Sequence, residues 1–110
     1  MYFSTAAAVL LLANAAYVHG QNCKVTPDPT TGAVVIPNDW TEIEAGAFRR
    51  CANIKSIVIP TKISRIRDYA FDSSALEEVV FQNGSQLQEI GYAAFYGTKI
   101  ITIKIPKRVK

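Results

Sequence analysis

The chain has 110 residues, a mass of 12.1 kDa, a formal net charge of +3, 49% apolar residues and 19% charged ones. Such a chain holds at most one small domain, which excludes a multidomain enzyme, a multi-span membrane protein, a collagen and a coiled coil. Fifteen of the first twenty residues are apolar; with these set aside the rest is about 43% apolar, an ordinary globular or repeat composition and too aliphatic for disorder.

The apolar start comes first in chain order. Ala6 to Val18 is a run of thirteen residues interrupted only by Asn14, shorter than the ~20 that a bilayer-spanning helix needs. Val18-His19-Gly20 then places Val at −3 and Gly at −1 of a cleavage before Gln21. Residues 1–20 therefore read as a secretory signal peptide, although Met1 to Thr5 carries no Lys or Arg. This predicts a secreted, extracellular or cell-surface protein with no membrane span after cleavage. Residues 21–33, polar and containing Pro27 and Pro29, read as a loose N-terminal lead-in or cap.

Cys23 and Cys51 both follow the leader, 28 residues apart. In an oxidising compartment they close one loop worth about 3 kcal/mol. The alternative is a small buried thiol at Cys51 and a partnerless Cys23. Asn83-Gly84-Ser85 is a candidate N-glycosylation sequon and equally an Asn-Gly turn leaving a strand; both readings put Asn83 on the surface.

Residues 34–110 repeat with a period near 23. Ala-Phe recurs at Ala47-Phe48, Ala70-Phe71 and Ala94-Phe95, and five residues before each Phe stands Ile43, Ile66 or Ile90. Ahead of these lie Trp40, Ile63 and Leu87. After each Phe comes a second apolar cluster, Ile54-Ile57-Ile59, Leu76-Val79-Phe81 and Ile100-Ile103-Ile105. Pro follows the cluster at Pro37, Pro60 and Pro106, and Gln82 replaces it once. Beyond the leader Ile outnumbers Leu by 12 to 2, and Ile57-Val58-Ile59 and Ile103-Lys104-Ile105 alternate. β-Branched alternation closed by Pro predicts a short strand. About 23 residues are too few for a βαβ unit but fit one coil of a solenoid. The expected fold is β-rich, about three stacked coils with one parallel strand each. Ile54, Ile57 and Ile59 point inward from one wall, and Ile63, Ile66 and Phe71 from the other.

The unit Ile54-x-x-Ile57-x-Ile59-Pro60-x-x-Ile63-x-x-Ile66-x-x-x-Ala70-Phe71 resembles the BspA-type leucine-rich repeat family, over Val34 to Val109. Cys51 stands at that family's terminal Cys, with Ser74 and Gly97 taken to fill the position in the other copies, and the resemblance therefore favours a small buried residue at Cys51 over a disulfide to Cys23. Phe81-Gln82 for Ile-Pro and Arg67 after Ile66 depart from the pattern. The resemblance implies a secreted or surface-displayed protein used for adhesion and protein binding.

Between the inward residues of the strand wall, Ser56 and Val58, Glu78 and Val80, and Thr102 and Lys104 are expected to face solvent. Val35, Val58 and Val80 then form an apolar stripe flanked by Lys55, Glu77 and Glu78. The expected binding residues are Ser56, Val58, Glu78, Val80 and Lys104. The charge is uneven: residues 104–110 carry Lys104, Lys107, Arg108 and Lys110 and no acid, while the rest is close to neutral. That pattern argues against nucleic acid, because no basic body is left to track phosphates; a basic tail suits acidic surface polymers or serves solubility.

His19 is the only histidine, and leader cleavage removes it. Ser-His and Cys-His pairs, the commonest general base, and a zinc site from two cysteines are all excluded, and no phosphate loop appears. The carboxylates Glu42 and Glu44, or Glu77 and Glu78, lack a cleft to work in. The expectation is a non-catalytic module without cofactor or metal that binds a protein or glycan partner. The alternative is a spacer or fragment of a larger surface protein. On that reading the fourth copy stops after Pro106 without its Ala-Phe segment, and the active domain lies beyond residue 110.

Overall fold

The computed structural model describes residues 22–109; the expected leader, its cleavage point before Gln21 and Lys110 lie outside the described residues. The elements are β1 (Ala33–Val35), β2 (Glu42–Ile43), β3 (Ser56–Ile59), β4 (Arg65–Ile66), β5 (Glu78–Phe81) and β6 (Glu89–Ile90), with no helix among the described residues. Strands β1, β3 and β5 pair in parallel in that order, and β2, β4 and β6 form a second three-stranded parallel sheet. This is a repeat β fold.

One strand per copy was expected, and each copy has two. The second strand comes from the Ile-x-x-Ile segment: Ile43, Ile66 and Ile90 are in register, as are Glu42, Arg65 and Glu89. At two residues it is too short to show alternation in the sequence. In the first sheet Val34, Ile57 and Val79 pair across the strands and are buried. Ile54, Ile57, Ile59, Ile63, Ile66 and Phe71 are all at most 1% exposed. Each such side chain stabilises the fold by roughly 1.5–3 kcal/mol relative to exposure. No copy encloses these residues alone, so neighbouring copies supply the cover.

The Ala-Phe segments form a third hydrogen-bonded array. The N–H groups of Gly46, Phe48 and Arg50 donate to the carbonyls of Asp68, Ala70 and Asp72. Those of Tyr69, Phe71 and Ser73 donate to Tyr92, Ala94 and Tyr96. Inside each segment consecutive turns close three residues apart, as in Ala70 N–H to Arg67 O and Ser74 N–H to Phe71 O. The third residue of such a turn takes positive φ when the turn is of type II. Gly46, Tyr69 and Ala93 hold that place before Phe at φ 66°, 59° and 54°, and Arg50, Ser73 and Gly97 hold it after Phe at 60°, 58° and 71°. Gly97 is therefore the counterpart of Arg50. Thr98, not Gly97, stands at the position of Cys51 and Ser74, its N–H donating to Phe95 O as theirs donate to Phe48 O and Phe71 O. The small side chain of Ala47, Ala70 or Ala94, each buried, lets these turns close beside the phenylalanines.

The lead-in is tied to the first copy. Asn22 and Lys24 donate their N–H groups to Arg49 O and Ala47 O, running opposite to the Ala-Phe segment. Between them Cys23 is bonded to Cys51, with Cα atoms 5.3 Å apart. Cys51 is also fully buried, but its sulfur is bonded, so the alternative of a free thiol there and a partnerless Cys23 does not hold.

The third copy differs in its turn. Ile59 and Ile63 are separated by three residues, whereas Phe81 and Leu87, their counterparts, are separated by five that include Asn83-Gly84. The expected fourth strand at Ile103-Lys104-Ile105 does not form: these residues carry no strand pairing, and Ile105 is 41% exposed. Lys99 N–H reaches Leu76 O, but the ladder does not continue beyond it. Ile100, Ile103 and Val109 pack against the core without pairing.

Candidate functional site

Alternation along β1, β3 and β5 turns every second side chain away from the core. Val35, Val58 and Val80 are mutually in register on the outer face, at 75%, 37% and 46% exposure. Ala33, Ser56 and Glu78 form the neighbouring row. Exposed Lys55 and Glu77 follow, joined by Glu77 N–H to Lys55 O. Four of the five expected binding residues, Ser56, Val58, Glu78 and Val80, thus lie side by side. Lys104 does not join them, because β5 is the last strand of its sheet and residues 102–104 have no register partner. Instead a cleft of about 540 Å³ opens beside β5, lined by Glu77, Glu78, Lys99, Ile101 and Thr102. Ile101 is 95% exposed. Sequence periodicity gave no warning of this, since Ile101 falls in the copy whose strand does not form.

The second sheet offers a different outer face. Arg67 Nε lies 2.8 Å from Glu42 Oε1 and Arg65 Nε 3.3 Å from Glu89 Oε1, and Lys24 lies 3.2 Å from Glu44. The hydrogen bond and charge of Glu42 push the Arg67 guanidinium above its ordinary value. Arg65–Glu89 is a cross-strand pair, Arg67–Glu42 links the residue after β4 to β2, and Lys24–Glu44 ties the lead-in to the first copy. All three are exposed pairs of opposite charge, which support the fold rather than hold a substrate. The Glu42 and Glu44 carboxylates are thus each engaged by a cation.

A third side carries aromatics. Tyr69 and Tyr92 meet edge to face at 5.7 Å, and the Arg49 guanidinium lies 5.0 Å over the Tyr69 ring. Arg49 also reaches Asp72, whose carboxylate is nearly buried and accepts a second bond from Ser73 Oγ. Tyr92 and Tyr96 are exposed. Sequence reading passed over these tyrosines. Tyr69 stands two residues before Phe71 and Tyr92 three before Phe95, so the repeat spacing does not mark them.

Ser73 Oγ stands beside the Asp72 carboxylate, but Arg49 holds that carboxylate as well, and no histidine lies among the described residues. Among the described residues there is no group of three or more His, Cys, Asp or Glu able to hold a metal ion. What the outer faces can do is make contact: apolar area at the valine row, charge at its margin.

Residues 30–110 match the family model described as the BspA type leucine rich repeat region, of six copies. The chain belongs to the BspA-type leucine-rich repeat family. The match spans all six strands and the three Ala-Phe turns, so the repeat unit of this family accounts for both sheets. BspA-type repeats are generally non-catalytic and often surface-associated. No curated protein and no solved structure matches the chain. Among the described residues no helix is long and apolar enough to cross a membrane.

Proposed function

We propose that this BspA-type chain is a secreted or surface-displayed, non-catalytic binding module, built as a solenoid of about three stacked coils of ~23 residues, whose outer face of β1, β3 and β5 docks a protein or glycan partner. The observation that carries this reading is the row Val35, Val58 and Val80. Three branched apolar side chains on adjacent strands stand in solvent together, in register. A single exposed valine needs no explanation. A contiguous row with Ser56, Glu78 and Glu77 at its edge has the form of an interface centre with a polar rim. Rigid backing by the buried isoleucines keeps the row flat and lowers the ordering cost of binding. The leader-like residues 1–20 and the bonded Cys23 and Cys51 support an oxidising, extracellular setting. Exposed Asn83 in the turn after β5 suits a glycan acceptor.

The test uses the full chain on arrays of extracellular proteins and of glycans, compared with a Val58→Ser/Val80→Ser variant. Loss of the strongest signal by about tenfold or more, with an unchanged melting temperature, supports the reading. Equal binding by the variant overturns it.

A further inference from the structure

Lys104 is absent from the strand face because it belongs to another place. The longer turn of the third copy and the segment after residue 103 enclose a cleft of about 540 Å³. Lys104, Lys107 and Arg108 line it together with Gln82 and Asn83. No carboxylate is among the lining residues. Among the described residues none of the three cations joins an ion pair, whereas Lys24, Arg49, Arg65 and Arg67 are all paired. The floor is apolar, from half-buried Phe81 and from Ile105. Gln82 Oε1 accepts from Thr61 N–H, which fixes the amide and leaves its NH₂ group to donate. Asn83 is anchored through its carbonyl, which accepts from Thr61 Oγ1, so its side chain is exposed to solvent.

We infer that this cleft binds an acidic polysaccharide, through carboxylate or sulfate groups on the three cations. Each feature matches one part of such a ligand. The unpaired cations take the anionic substituents, the two amides take ring hydroxyls, and the apolar floor takes the C–H face of a sugar ring. A volume of this size suits a few sugar units rather than a duplex. A nucleic acid fits worse, because the charge is confined to one cleft and the rest of the chain is close to neutral. The site is separate from the valine row, so its failure and that of the strand-face reading are distinguishable.

The full chain, exported to a bacterial periplasm so that its cysteines oxidise and Asn83 stays bare, is titrated by calorimetry. The probes are a heparin octasaccharide, an octagalacturonate, a neutral glucan octamer, an octaglutamate peptide and an eight-nucleotide DNA strand. Binding of heparin, octagalacturonate or both is expected, at least tenfold tighter than the peptide and the DNA. Which of the two binds tells sulfate from carboxylate. The affinity falls about tenfold or more between 50 and 200 mM NaCl, the scale for three charges on a linear polyanion. Lys104→Gln/Lys107→Gln/Arg108→Gln loses at least tenfold, while Lys62→Gln, on the neighbouring turn, binds as the parent does. Absence of binding to both acidic saccharides, equal binding to all the polyanions, or full retention by the triple variant overturns the inference.

Discussion

The rings of Phe48 and Phe71 lie 3° from parallel with centroids 5.2 Å apart, and Phe71 stands in nearly the same relation to Phe95 at 5.2 Å and 4°. Phe71 is the middle member and fully buried. Offset parallel rings at this distance add about 0.5–1.5 kcal/mol to area burial. Phe71→Ala is expected to cost about 3–5 kcal/mol, as much as a domain this small has in total. Its circular dichroism melt should lose its cooperative transition. Phe71→Leu, at about 1–2 kcal/mol, should melt cooperatively at lower temperature. A cooperative alanine variant would show that the ring column is not central to the core.

Arg50 holds φ 60° with an exposed side chain that makes no ion pair. Glycine occupies the same place, at Gly97, without that strain. Arg50→Gly should stabilise the chain by about 0.5–1 kcal/mol, a rise of several degrees in melting temperature. Gly91→Ala should act in the opposite sense, since a Cβ there would fall on Asp68 and on the Arg67 backbone. About 1–3 kcal/mol is the usual cost of such crowding. Thermal melts of the two variants check both signs.

The Cys23–Cys51 bond closes a loop across 28 residues and fastens the strand-like Asn22–Lys24 stretch to the first Ala-Phe turn. Cys23→Ser is expected to lower stability by about 3–4 kcal/mol, and reductant should destabilise the parent but not the variant. Intact mass of the secreted product reports this bond, the leader cleavage and a glycan at Asn83 together. A mass with both thiols free in the folded protein would remove the bond from the account.

At low pH the lead-in should respond through Asp28. Asp28 accepts the backbone N–H groups of Thr30 and Thr31, and these bonds hold its carboxyl below the ordinary aspartate value. A carboxyl depressed in the folded state contributes stability above its unfolded value and loses it as pH falls through the folded one. Amide resonances of Thr30 and Thr31 should therefore shift together, at a pH below the ordinary aspartate midpoint. Asp28→Asn should abolish that step. A midpoint at or above the ordinary value would contradict the cause given.

Much of this was legible because apolar spacing is a direct record of burial. Ile54, Ile57, Ile59, Ile63 and Ile66 announce their places by position alone, and the structure buries them all. The second sheet was hidden because two residues have no period to read. The turn register was hidden because Tyr69, Ala93, Arg50 and Ser73 adopt a backbone that glycine usually advertises. Lys104 was misplaced for a simpler reason: alternation gives a side-chain pattern without making ladder bonds, and residues 102–104 do not pair with the open edge of β5. The outer valines followed from alternation, but the cleft near Asn83 depended on two extra turn residues whose effect is purely three-dimensional.

In the Ala-Phe array every amide hydrogen passed between copies is given forward, from an earlier copy to the carbonyl of the next. Parallel amides pointing one way sum as they do along a helix axis. The stack therefore has an electrical polarity set by chain direction. At its leading side the carbonyls of Ala47 and Arg49 are covered by Asn22 and Lys24, while the matching N–H groups of Phe95 and Gly97 have no acceptor among the described residues. Head and tail are not interchangeable, and anything settling against the tail meets a row of partial positive charge.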